Sequence, residues 1–180
     1  VMWADSSLGA GTSFHIWLPE SENALIDDVP QEAKYVEEPA KILVMDDDDQ
    51  VRSSVLRILE TFGHRAVAAR DGEQAIQLFV TAREAGEPFD VVIMDLTIPG
   101  GMGGREAIAK LRRIAPDVRA IVASGYFDDP VMSNYREHGF VAVIEKPFQM
   151  AELGNVIADV LNVDESQTQA SPDLRIVKRG

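Results

Sequence analysis

Between Lys41 and about Asn162, short apolar runs alternate with stretches of helical spacing, and this alternation leaves the chain very few folds. Lys41 to Met45 reads as a strand, and Val51, Val55, Leu56, Ile58, Leu59 and Phe62 follow on one helical face before Gly63 stops the helix. His64 to Arg70 predicts a second strand, and Asp71-Gly72 then opens a helix carrying Ala75, Ile76, Leu78, Phe79 and Ala82. Phe89 to Met94 is almost wholly apolar, as a central strand covered on both faces requires. A helix is expected from about Gly104 to Ala115, with Ala107, Ile108 and Leu111 inward and Pro116-Asp117 at its end. Ala120 to Ser124 gives the fourth strand and Val141 to Glu145 the fifth, with a polar, weakly patterned helix expected between them from about Asp128 to His138. Leu153, Val156, Ile157, Val160 and Leu161 mark a last helix. Such alternation implies an α/β chain with a five-stranded parallel sheet and helices on both faces.

Ligands of sheets of this kind sit beyond the carboxyl ends of the strands. Those ends carry Asp46-Asp47, Asp95, Ser124 and Lys146-Pro147. Three carboxylates, a hydroxyl and an ammonium are parts suited to handling a phosphoryl group on a carboxylate. No glycine-rich phosphate loop follows the first strand, where Asp46 to Asp49 stand instead, which argues against dinucleotide and P-loop nucleotide binding. A formal charge of −13 argues against a nucleic-acid surface. The absence of cysteine removes disulfides, thiolate ligands and a thiol nucleophile. No apolar run approaches the ~20 residues that span a bilayer, which predicts a soluble, cytoplasmic chain without direct membrane contact. The histidines, His15, His64 and His138, have no metal-ligand spacing and none reads as a phosphodonor.

Outside this region the chain is organised differently. Thr12 to Pro19 alternates, with Phe14, Ile16 and Leu18 on one face, and predicts a single strand. Residues 21–40 are acidic, contain Pro30 and Pro39, and read as an extended linker; residues 163–180 carry no core-forming pattern and read as a disordered tail.

The ordered set Asp46-Asp47, Asp95 with Pro99 after it, Ser124, and Lys146-Pro147-Phe148 resembles the receiver domain of two-component response regulators, over roughly residues 40–162. The resemblance implies a flavodoxin-like (βα)5 fold with the receiver at 41–162. It implies that Asp95 is the phosphoacceptor, attacking the phosphorus of a phosphohistidine. Asp46, Asp47, Asp95 and the backbone carbonyl of Thr97 would hold Mg²⁺, Lys146 would contact a phosphoryl oxygen, and Ser124 would hydrogen-bond another. Asp48 and Asp49 are read as solvated or as first-turn helix residues. In the family a cis bond to the following proline orients the lysine. Two departures stand out: Gly100 to Gly104 has one glycine more than the usual loop, which predicts a longer and more mobile segment, and Val143 occupies a position often aromatic in the family. Tyr126 and Thr97 are candidates for controlling water access to a phosphoaspartate.

Ser7 to Pro19 resembles the carboxyl-terminal end of a histidine-kinase ATP-binding domain, so residues 1–20 are expected to be a kinase remnant and the parent protein a hybrid, membrane-anchored or soluble. Expected partners are a histidine kinase or histidine phosphotransfer domain, with at most a weak homodimer. The competing reading is a Mg²⁺-dependent phosphohydrolase working through an aspartyl phosphate. That chemistry needs a second aspartate two residues after the nucleophile, where Thr97 stands.

Overall fold

The computed structural model describes residues 1–9, 11–17, 38–125 and 129–162. The expected tail at 163–180, most of the expected linker and Tyr126 lie outside the described residues. The chain separates into two units, Val1–Pro30 and Gln31–Gly180.

In the first unit, β1 (Met2–Ser7) pairs antiparallel with β2 (Gly11–Ile16), with Met2 opposite Ile16 and Ser7 opposite Gly11. A single strand was expected here; β1 is the addition. Its Asp5-Ser6-Ser7 end has poor strand propensity, and only the ladder with β2 makes it extended. Met2, Ala4, Phe14 and Ile16 share one face, while Trp3, Asp5 and His15 share the other. On that second face the Trp3 and His15 rings stack at 4.9 Å, and His15 Nε2 lies 3.3 Å from Asp5 Oδ2. Every described residue of the ribbon is exposed.

The second unit contains β3 (Lys41–Met45), α1 (Asp49–Thr61), β4 (Arg65–Ala69), α2 (Gly72–Glu84), β5 (Val91–Asp95) and α3 (Gly104–Ile114). It continues through β6 (Ala120–Ser124), α4 (Pro130–Ser133), β7 (Ala142–Glu145) and α5 (Met150–Asn162). The strands form one parallel sheet in the order β4-β3-β5-β6-β7. The switch in winding direction therefore falls between β3 and β5, whose carboxyl ends carry Asp46 and Asp95.

Strand side chains alternate between two cores. Leu43, Met45, Val92, Met94, Ala120 and Val122 pack with α2, α3 and the segment through Phe140. Ile42, Val44, Val91, Ile93, Ile121, Ala123 and Ile144 pack with α1 and α5. Because both faces are covered, β3, β5 and β6 read as continuous apolar runs. Asp48 caps α1 by accepting the N–H groups of Gln50 and Val51, and Asp71 caps α2 by accepting that of Gln74.

The structure departs from the expected helix at about 128–138. Only one turn, α4, is helical, after which the N–H groups of Glu137, His138 and Gly139 each reach back three residues, to the carbonyls of Asn134, Tyr135 and Arg136. Asp129 and Pro130 start the helix well, but Ser133-Asn134 are weak continuers, and the chain instead tightens so that Tyr135 and Phe140 enter the core. Val143 on β7 is half-buried and packs against the same cluster.

Candidate functional site

The strand ends place the acidic and basic groups side by side. Asp46 and Asp47 leave β3, Asp95 ends β5, and one carboxylate oxygen from each lies within 4.8 Å of the others. Asp46 is buried, Asp95 partly buried and Asp47 exposed, so the cluster runs from the protein interior to the solvent. The Lys146 ammonium donates to Asp46 Oδ2 and, at 2.8 Å, to Asp95 Oδ2. Burial alone would pull the Lys146 pKa down, but the hydrogen bonds to Asp46 and Asp95, with their charges, outweigh it and raise the pKa above the ordinary lysine value. The Lys146–Pro147 peptide is cis.

Each carboxylate is also held by backbone. Asp46 Oδ1 accepts the Asp48 N–H at 3.0 Å, and Asp95 Oδ1 accepts the Thr97 N–H at 3.3 Å. Ser124 ends β6 with its side chain buried, and its carbonyl accepts the Lys146 N–H at 2.9 Å, tying the lysine-bearing segment to the next strand. The Leu96 N–H, just after Asp95, donates to the Ala123 carbonyl at 3.1 Å. Asp46, Asp47, Asp95 and Lys146 thus form one constellation, with Ser124 on the adjoining strand end and Thr97 joined to it through its amide.

Glycine shapes the loop that follows Asp95. A Cβ on Gly104 would sit 2.7 Å from the Asp95 carbonyl oxygen, and one on Gly103 would overlap the Leu96 carbonyl. The loop is therefore pressed against the strand exit, and the N–H groups of Gly101 and Gly104 pin it to the Ile98 and Leu96 carbonyls. Gly100 takes a positive φ of 74°, a conformation open to glycine at little cost.

Sequence reasoning missed Arg52. Its guanidinium donates to the Asp46 carbonyl and to Asp49 Oδ1, so a cation braces the acidic turn from behind. The i, i+3 spacing of Asp49 and Arg52 at the start of α1 was the available signal. His64 also has a more definite place than expected. It is buried, accepts the Ala40 N–H on Nδ1 at 3.2 Å, and has its pKa lowered by burial, partly opposed by Asp90.

Residues 42–158 match the family model described as the response regulator receiver domain. The chain belongs to that family. It carries a response regulator receiver domain over most of its length. A sensor kinase, CckA of Brucella abortus, is 31% identical over 169 residues, covering 89% of this chain and 18% of CckA. The response regulator GacA of Pseudomonas aeruginosa is 36% identical over 122 residues, covering 67% of this chain and 54% of GacA. The chain thus spans about half or less of the length of these relatives. The CckA match is too long to fit within residues 41–180 and extends into the part of the chain before Lys41. Among solved structures, a response regulator receiver domain protein from Clostridium thermocellum is 25% identical with a TM-score of 0.62, covering 68% of this chain and 94% of that one. Among the described residues, no helix is long and apolar enough to cross a membrane.

Proposed function

We propose that Asp95 is the phosphoacceptor and that Asp46, Asp47, Asp95 and the Thr97 backbone carbonyl hold Mg²⁺ during transfer. The observation that carries this reading is the Lys146 ammonium shared by Asp46 and Asp95 beside Asp47. Three carboxylates this close repel one another and any incoming phosphoryl anion unless cations compensate them. An all-oxygen donor set with solvent on one side suits a small hard cation that keeps several waters. Bound there, Mg²⁺ would neutralise the carboxylates and polarise the phosphoryl group.

Asp95 attacks the phosphorus of a phosphohistidine supplied by a kinase or phosphotransfer domain. A P–O bond forms as the P–N bond breaks, and the electron pair stays on the imidazole nitrogen, which then takes up a proton. Lys146 exchanges a carboxylate partner for a phosphoryl oxygen, and the Ser124 hydroxyl binds another. Catalysis rests on positioning and charge rather than on proton transfer. Transfer onward or hydrolysis of the phosphoaspartate completes the cycle. The phosphohydrolase reading gains nothing, since Thr97 offers no acid two residues after Asp95.

We place this receiver in a hybrid sensor kinase, with residues 1–20 as the end of an ATP-binding domain, 21–40 as linker, 41–162 as receiver and 163–180 as tail. Two observations support this: the CckA match extends before Lys41, and the β1-β2 ribbon has an apolar face of Met2, Ala4, Phe14 and Ile16. An isolated two-stranded ribbon is at best marginally stable, so this face suits the edge of a larger domain. The parent acts in the cytoplasm without nucleic-acid contact.

Intact-protein mass after exposure to acetyl phosphate, with and without Mg²⁺, tests the chemistry. A gain of about 80 Da that requires Mg²⁺ and vanishes in Asp95→Asn is expected. An adduct of the same yield in Asp95→Asn would refute the assignment.

A further inference from the structure

Next to Asp95 the surface opens into a cleft of about 610 Å³. Its floor is the chain leaving β5, including Thr97, whose amide holds Asp95 Oδ1. Gly101 and Gly103 also line it, and the first turn of α3 contributes Arg105. Across from Arg105 stands Asp129, the N-cap of α4.

Any phosphodonor is an anion, and the mouth of this site is strongly acidic. Asp46 to Asp49 and Asp95 crowd the strand ends of a chain with a formal charge of −13. Among the described residues, the cations that contact this acidic turn and Asp95 are already committed. Lys146 donates to both Asp46 and Asp95, and Arg52 to the Asp46 carbonyl and Asp49. Arg105 is differently placed. Its side chain is 57% exposed and meets Asp129 Oδ1 through one nitrogen at 3.2 Å, long for a charge-assisted bond. The same Asp129 oxygen also accepts the Val131 N–H at 2.8 Å, so Asp129 keeps a partner when the arginine leaves. An exposed, single-point ion pair is easily exchanged for a better anion.

We propose that Arg105 is the donor-recognition residue of this receiver. It leaves Asp129, contacts the phosphoryl oxygens of the incoming phosphodonor, and holds that anion at the cleft before transfer to Asp95. Asp129 competes for the guanidinium and sets its resting position. The inference rests on the phosphoacceptor reading above and names the residue by which that site receives its substrate.

Wild type, Arg105→Gln, Arg105→Lys and Asp129→Asn chains are treated with acetyl phosphate in saturating Mg²⁺, and the rate of mass gain is followed against donor concentration and NaCl. Arg105→Gln should be about fivefold slower at low donor concentration, the loss expected for one exposed ionic contact. The deficit should lie in the half-saturating donor concentration rather than the limiting rate, and should shrink as salt is raised. Arg105→Lys should retain most of the rate, and Asp129→Asn, which keeps a capping side chain, should match or exceed wild type. The phosphoaspartate lifetime after donor removal should be the same in all four. Equal rates for wild type and Arg105→Gln would overturn the inference while leaving Asp95 as acceptor. Slowing by Asp129→Asn to the level of Arg105→Gln, or a changed lifetime, would overturn it in favour of a structural tie. A wild type that gains no mass would overturn the acceptor reading and this inference together.

Discussion

Replacing Lys146 by methionine keeps most of the side-chain volume and removes the ammonium placed between Asp46 and Asp95. In the wild type the ammonium lies 2.8 Å from Asp95 Oδ2 and also binds Asp46, which is only 4% exposed. Without it, carboxylates within 4.8 Å of one another face each other uncompensated. At an effective dielectric of about 20, two unit charges at that distance repel by roughly 3 kcal/mol, similar to the cost of breaking a buried pair by removing one partner. Urea unfolding followed by far-UV circular dichroism at pH 8 should show Lys146→Met destabilised by about 3 kcal/mol in EDTA. A dication bound at Asp46, Asp47 and Asp95, as proposed above, would replace the missing charge. Saturating Mg²⁺ should therefore stabilise the variant by about 2 kcal/mol more than it stabilises wild type. If the variant in EDTA is as stable as wild type, or if Mg²⁺ raises both equally, the view of Lys146 as the counter-ion of this cluster is wrong.

Two further outcomes follow from buried and crowded positions. The lowered His64 pKa means that the unfolded chain binds a proton more readily than the folded one. The stability contributed by neutral His64 is complete above the unfolded value of about 6.5 and is lost as pH falls toward the folded pKa, with a slope of at most about 1.4 kcal/mol per pH unit. Urea midpoints between pH 7.5 and 5.5 should fall more steeply for wild type than for His64→Gln, and parallel curves would sink this account. Gly104→Ala puts a Cβ 2.7 Å from the Asp95 carbonyl oxygen, so the backbone must move, at about 1–3 kcal/mol. Gly86→Ala, with a φ of 77° and open space around it, should cost about 1–2 kcal/mol by strain alone. Both should lower the urea midpoint, but only Gly104→Ala should also slow phosphorylation by acetyl phosphate; equal phosphorylation rates would show that Asp95 is insensitive to its loop.

Much of this protein is legible in local pattern, because apolar period and strand-end residues are local properties. The continuous apolar runs of β3, β5 and β6 could be satisfied only by a sheet covered on both sides. Right-handed crossovers through the intervening helices then bring every strand end to the same edge. Apolar pattern and strand-end position alone assign Asp46, Asp47, Asp95, Ser124 and Lys146 to one edge of the sheet. Local pattern is a poor guide where preference is weak and distant packing decides the outcome. The segment after Pro130 has a helical start and polar continuation, and burial of Tyr135 and Phe140 turned it into a single helical turn with a chain of tight turns. Strand β1 exists through its ladder with β2, not through its own residues.

The site divides the same way. Residue types and their order along the chain determined which groups arrive at the sheet edge. Which of them pair was settled only in three dimensions. Lys146 reaches carboxylates 100 and 51 residues earlier because strand order sets β3, β5 and β7 in one sheet and partial burial makes an uncompensated charge costly. Arg105 meets Asp129 in an exposed contact for an equally non-local reason, the position of Asp129 beside the cleft that both residues line. Charge pairing depends on distance and solvent exposure, and sequence separation carries neither.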